Sequence, residues 1–367
     1  MGAYIARRLL LMIPTIVGIM LVMFTVAQFV PGGPVEQVIA QLNGQGNAAI
    51  DRVTGGGSDF QSTGNDSLGS GGGSKYRGAQ GLDPEFIAKL EKQFNLDKPA
   101  PERFVRMMWD YIRFDFGESY FRSISVIDLV IEKLPVSISL GLWITLISYG
   151  ISIPLGIRKA VKDGSRFDTW TSGVIIIGYA VPGFMFGILL LVLFAGGSFF
   201  DWFPLRGLTS DNWDELSWPM KIVDYFWHMT LPLLALGISA FATTTLLTKN
   251  SFLDEIKKQY VQTAKAKGLN ERQVLYGHVF RNAMLIIVAG FPGAFIGAFF
   301  TGSFLIEAIF SLDGLGYLGY TSIIQRDFPV VLATLFIFSL LGLVVSLISD
   351  ITYTLIDPRI DFERRDV

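Results

Sequence analysis

Residues 9–30 read LLLMIPTIVGIMLVMFTVAQFV. No charge interrupts the run, and about 20 apolar residues at ~1.5 Å each carry a helix across the ~30 Å hydrocarbon core of a bilayer. Five more stretches share this character, at 134–157, 171–195, 231–248, 283–310 and 329–353. None of them holds a Lys or Arg, and the acids within them are Glu307 and Asp350. The expected fold is an all-α polytopic membrane protein with six transmembrane helices. Arg7 and Arg8 give the first run the look of a signal peptide. It is longer than a typical signal core, however, no small-x-small cleavage site follows, and Pro31-Gly32-Gly33-Pro34 ends it. It is expected to remain as an uncleaved helix.

Composition points the same way. Of 367 residues 51% are hydrophobic and 17% charged, against about 25% charged in soluble domains, and the mean hydropathy is +0.46. A net charge of −2 gives a nucleic-acid partner no electrostatic support. The absence of cysteine removes disulfide frameworks, iron–sulfur ligation and thiolate nucleophiles, and with His228 and His278 as the only histidines no zinc site is expected. No Gly-x-x-x-x-Gly-Lys-[Ser/Thr] run is present to cradle a phosphate. The chain reads as non-catalytic, with no cofactor or metal of its own.

With the N-terminus inside, segments 1–8, 158–170, 249–282 and 354–367 are dense in Lys and Arg, whereas the two short outer loops carry Arg206, Lys221 and Arg326. Positive charge accumulates on the cytoplasmic side, so both termini are expected there. Trp202, Trp213, Trp218, Tyr225 and Trp227 crowd the loop before the fourth span, the chemistry of an aromatic belt anchored in membrane lipid.

The expected division is 1–30 for the N-terminus and first span, 31–133 for a periplasmic segment, 134–353 for the remaining spans, and 354–367 for a cytoplasmic tail. Within the periplasmic segment, residues 54–74 are dominated by Gly, Ser, Asn and Asp and are expected to form a flexible insertion. Two amphipathic helices are expected after it. The first carries Phe86, Ile87, Leu90 and Phe94, and the second Phe104, Met107, Met108, Tyr111 and Ile112 at the 3.6-residue period. They would lie on the outer membrane surface or pack against the spans.

The cytoplasmic segment 249–282 carries the functional reading. Ser251 followed by Asp254 predicts a helix start, and Gly268 suits the left-handed position that ends one. Asn270 and Gln273 have the spacing of a capping box for a second helix. Small residues Thr263, Ala264 and Ala266 near the bend would let another protein's surface approach closely.

Here the sequence resembles a known family. Tyr-Val-Gln-Thr-Ala-Lys-Ala-Lys-Gly at 260–268, with Arg281-Asn282-Ala283, is similar to the coupling loop of binding-protein-dependent ABC importer permeases. The general pattern is Glu-Ala-Ala, three residues, then Gly. Gln262 and Thr263 replace the Glu and first Ala, a departure that resembles the dipeptide and oligopeptide branch. Pro31-Gly32-Gly33-Pro34, Leu96-Asp97-Lys98-Pro99, Asp115-Phe116-Gly117-Glu118-Ser119, Gly314-Leu315-Gly316, Asp327-Phe328-Pro329-Val330, Asp350-Ile351-Thr352-Tyr353 and Asp357-Pro358-Arg359 are similar to that branch along the chain. The Gly-rich insertion before Tyr76-Arg77-Gly78 most resembles the Yej-type peptide and microcin importers.

The resemblance implies the type I ABC importer permease fold in a bacterial inner membrane. It also implies a second homologous permease, two ABC ATPase domains that bind ATP and Mg, a periplasmic peptide-binding protein and a peptide substrate. Tyr260, Gln262, Thr263, Ala264, Lys267, Gly268, Arg281 and Asn282 would couple to the ATPase. Tyr179, Phe184, Phe295, Phe299 and Glu307 are candidates to line the pathway. The rival expectation is an ion-coupled transporter of peptides or other small solutes, for which Glu307 and Asp350 would be the intramembrane ionisable groups.

Overall fold

The computed structural model describes residues 2–29, 85, 98–122, 124–197, 199–300 and 303–356. The insertion expected at 54–74, the stripe at 86–94, Pro31-Gly32-Gly33-Pro34, and the tail with Asp357-Pro358-Arg359 lie outside the described residues. The described chain is helical almost throughout: α1 Gly2–Phe29, α2 Ala100–Ile112, α3 Val126–Val161, α4 Arg166–Ala180, α5 Gly183–Phe194, α6 Trp218–Ile256, α7 Gln259–Ala266, α8 Glu271–Val274, α9 Phe280–Phe300, α10 Ser303–Ile309, α11 Leu315–Gln325 and α12 Phe328–Ile356. Five helices among the described residues are long and apolar enough to cross a bilayer, and a sixth crossing results if α4 and α5 count as one span.

The helices differ in detail from the expected spans. The third, 171–195, falls on α4 and α5, which meet at 92°. Pro182 is responsible: it forces Val181 into an extended conformation (φ −88°, ψ 120°) and restarts the helix as its N-cap. The fourth begins at Trp218 rather than Leu231, so Trp218, Tyr225 and Trp227 lie on a helix, not in a loop. Pro219, in the first turn, is pre-organised for that start. Over the expected fifth span, 283–310, the described residues are α9 and α10, the latter carrying Glu307, and residues 301 and 302 between them lie outside the described residues.

The described residues fall into two compact units. One lies within Met1–Met12, Ile131–Leu318 and Phe338–Val367, the other within Ile13–Val130 and Gly319–Ile337. In the first, α6 is the hub on which α4, α5, α9 and α10 all pack. The α5–α6 contact is close because Gly183 and Gly187 face Ala235, and a Cβ on Gly183 would stand 2.8 Å from the Ala235 carbonyl oxygen. Small residues one turn apart allow this approach where lipid supplies no hydrophobic drive. Around the contact, Leu140, Ile144, Leu190, Met229, Leu231, Ile306 and Phe310 form one buried cluster.

The second unit fastens α2 to α1 and to the first turns of α12. Phe104 meets Phe24 at 5.4 Å, Arg103 donates to Gln28 Oε1 at 2.6 Å, and Tyr111 packs edge-on against Phe116 and Phe336. The chain between α2 and α3 is held by the Asp327 carboxylate, which accepts from the Ser119 hydroxyl at 2.5 Å and the Tyr120 amide at 3.2 Å.

Candidate functional site

The segment between α6 and α9 is built from local signals that hold rigidly together. The helix of the fourth span continues past Thr248 to Ile256, so Ser251 caps nothing. Its hydroxyl instead donates to the Ala283 carbonyl at 2.6 Å, tying α6 to α9. The break falls at Lys257 and Lys258, and Lys258 (φ −72°, ψ 152°) opens α7 without a side-chain cap. Lys258 pairs with Glu255 across this break, and Glu255 also accepts from the Tyr260 hydroxyl at 2.7 Å. Burial pushes the Tyr260 phenol above its ordinary pKa; Asn282 opposes this and Glu255 adds to it. The phenol is therefore protonated at neutral pH and serves as the donor.

The end of α7 is a complete Schellman motif. The Gly268 amide donates to Lys265 O at 2.9 Å and the Leu269 amide to Ala264 O at 3.3 Å, with Gly268 at φ +86°. Leu269 turns in to the apolar cluster below, the hydrophobic contact that accompanies such a motif. Asn270 then forms the capping box expected of it: its side chain accepts from the Gln273 amide at 2.8 Å, and Gln273 Oε1 accepts from the Asn270 amide at 3.1 Å. One π-helical turn, Leu275–Val279, joins α8 to α9.

The helical period sorts the site residues into two faces. Val261 and Ala264 are buried, in a cluster with Ile157, Ala160, Phe252, Val274, Val279, Ala283 and Ile287. Gln262, Thr263, Ala266, Lys267 and Gly268 are exposed, as are Arg281 and Asn282. Ala264 therefore does not belong to the surface expected to meet another protein; it anchors α7 from below. Beside this anchor lies a cleft of roughly 350 Å3, with Ala160, Val161, Ile256, Val261, Val274, Leu275 and Val279 as apolar lining and Lys265, Glu271 and Arg272 as charged lining.

Sequence reasoning missed a charged cluster that fixes the neighbouring helix ends. Lys159 is wholly enclosed, and its ammonium group reaches the Asp168 carbonyl (2.9 Å), Thr171 Oγ1 (2.7 Å), Ser172 Oγ (2.8 Å) and the Asp168 carboxylate (2.9 Å). The other Asp168 oxygen takes Lys249 at 2.7 Å, and Lys249 also pairs with Asp163 at 2.9 Å. One carboxylate thus links α3, α4 and α6. The sequence signal was Ser165, whose hydroxyl accepts from the Asp168 amide at the start of α4, but the partner lysines come from other helices.

The pathway candidates have different surroundings. Tyr179 and Phe184 are exposed, Phe295 is half-buried and stacked on Phe291, and the Phe299 side chain lies outside the described set. Glu307 is fully enclosed. Its carboxylate accepts from the Tyr317 amide at 2.6 Å and stands 3.4 Å from the Ser137 hydroxyl, which in turn accepts from the Leu315 amide at 2.8 Å. These amides open α11, so Glu307 and Ser137 satisfy donors that a helix start leaves unpaired. Asp350 is held by Arg8 at 2.7 Å and Tyr4 at 3.1 Å. His228 is buried with Nδ1 2.9 Å from the Asp224 carbonyl, and His278 is exposed on the π-helical turn.

Residues 152–362 match the family model described as binding-protein-dependent transport system inner membrane component. The chain is 75% identical to the peptidoglycan transport system permease protein YejB of Agrobacterium fabrum, and 59% identical to the inner membrane ABC transporter permease protein YejB of Escherichia coli O157:H7, each over 100% of both chains. It is 31% identical to the oligopeptide transport system permease protein AppB of Bacillus subtilis, over 99% of this chain and 100% of that one. Among solved structures, the inward-facing MetNI methionine ABC transporter aligns with a TM-score of 0.47 at 13% identity, covering 63% of this chain and 97% of that one.

Proposed function

The chain belongs to the family of binding-protein-dependent transport system inner membrane components, and from that membership as an ABC importer's permease subunit we propose that it forms, with a second homologous permease, the path by which peptides cross a bacterial inner membrane. In this reading both termini are cytoplasmic, a periplasmic binding protein delivers peptide, and two ATPase subunits supply ATP and Mg chemistry. The observation that carries the coupling role is the α7–Gly268–α8 element. Its inner face is anchored by Val261 and Ala264, its bend is closed by a Schellman motif and a capping box set back to back, and Gln262, Thr263 and Lys267 are left outward. An element so braced transmits displacement instead of absorbing it. Movement of an ATPase against the outer face would pass through α7 into α6 and α9, shifting a two-state equilibrium of the spans as rigid bodies.

Peptide is the substrate class favoured by the oligopeptide and peptidoglycan systems named for the relatives. Tyr179, Phe184, Phe295 and Phe299 stay as candidate pathway residues, while the enclosure of Glu307 weighs against that role. The bonds made by Glu307 and Asp350 weigh against an ion-coupled mechanism, which needs ionisable groups open to a cavity. The test is purification of the chain with its neighbouring gene products, followed by ATPase assay in lipid. Turnover stimulated by peptide-loaded binding protein is expected. A chain that purifies alone and moves solute down an ion gradient would overturn the proposal.

A further inference from the structure

Helix α2 has three distinct faces, and an apolar one is largely exposed among the described residues. Phe104 and Tyr111 point into the second unit, against Phe24 and Phe336. Arg106 and Arg113 form an exposed polar flank. Between these, Val105, Trp109 and Ile112 make an apolar stripe at i, i+4 and i+7, with exposures of 67%, 55% and 63%. The Arg113 guanidinium lies over the Trp109 ring at 4.5 Å, the pairing of an amphipathic ring and a cation suited to a boundary between hydrocarbon and headgroups.

The level of this stripe is set by α1. Contacts from Phe24 to Phe104 and from Gln28 to Arg103 put the start of α2 beside the last two turns of α1, which ends at Phe29. Over these same turns α1 turns Met20 and Phe24 inward and leaves Val22, Val26 and Phe29 exposed, an apolar surface that in a spanning helix faces lipid. The α2 stripe is thus held at the height where the lipid-facing surface of α1 approaches the headgroups.

We propose that the Val105–Trp109–Ile112 face of α2 inserts into the outer phospholipid leaflet at the boundary between headgroups and acyl chains, making α2 an interfacial anchor fastened to the first span. An interfacial helix sinks its apolar side about 5–10 Å below the surface and keeps its polar side wet, and the three faces of α2 match that division. The assignment to the outer leaflet rests on the orientation given under the proposed function.

The chain has no cysteine, so single-cysteine variants report unambiguously. Val105→Cys, Trp109→Cys and Arg106→Cys would each be spin-labelled in the assembled importer and placed in phosphatidylethanolamine–phosphatidylglycerol vesicles. At 105 and 109, collisions with oxygen are expected to exceed those with a water-soluble nickel chelate several-fold, with the ratio reversed at 106. Chelate access at 105 and 109 equal to that at 106 would overturn the proposal. So would exclusion of both reagents, which would mean that the face is covered by protein such as the second permease or the binding protein. If Trp109→Cys does not fold, Ile112→Cys reads the same face. An impermeant maleimide at Arg106→Cys reports sidedness separately, so a failed orientation is distinguishable from a failed lipid contact.

Discussion

Gly268 and Gly314 are the residues whose replacement says most, and for different reasons. Gly268 has open space around its missing Cβ but sits at φ +86°, so a side chain there is strained by conformation and not by collision. Gly268→Val is expected to cost at least about 1 kcal/mol locally and to misplace α7. Complex assembly should survive, while peptide uptake and stimulated ATPase fall; normal uptake would remove the coupling role. Gly314 faces the opposite constraint, because a Cβ would stand 2.5 Å from the Glu307 carboxylate. Gly314→Ala is therefore expected to lower the yield and melting temperature of the purified complex. Glu307→Gln keeps an acceptor for the Tyr317 amide and should retain ATP-driven uptake. Loss of transport in that variant at unchanged stability would revive a role for Glu307 in ion movement. The motif Gly314-Leu315-Gly316 was visible in the sequence, but its reason was not. A carboxylate eight positions upstream of Leu315 reaches the α11 amides only once α10 has been placed.

At the scale of elements, what could be read in advance was what the chain decides locally. Six apolar stretches separated by charge, the Asn270–Gln273 capping box and the Gly268 terminus depend on residues close in sequence, and the structure contains each capping feature. The start of α7 was misplaced because nothing between Ser251 and Lys258 favours an end to the fourth helix; the true break lies at a Lys-Lys pair with no cap. The bend at Pro182 was marked by its proline, yet its 92° angle comes with the packing of α5 on α6. The Lys159–Asp168–Lys249 cluster could not be read at all, since its members meet only when three helices do. Two variants separate these contributions. Asn270→Ala removes the capping box and is expected to cost about 1 kcal/mol, seen as faster amide exchange in α8. Lys159→Met roughly keeps the volume but leaves the Asp168 carboxylate to Lys249 alone, and should destabilise the complex by more than Asn270→Ala does, read as loss of folded protein in detergent.

For the whole molecule the central claim is that the outward face of α7 meets an ATPase. Cysteine can be placed at Gln262 or Thr263 in a chain that has none, with Asp211→Cys as control in the exposed loop before α6, which the proposed orientation puts on the opposite side of the membrane. Each variant would be co-expressed with the neighbouring gene products and treated with a short bismaleimide in membranes, with and without ATP. The expected result is a covalent adduct between this chain and an ATPase subunit at 262 and 263, changing in yield with nucleotide, and none at 211. Transport-competent membranes in which neither 262 nor 263 forms such an adduct would contradict the docking of α7 and, with it, the coupling role assigned to this segment.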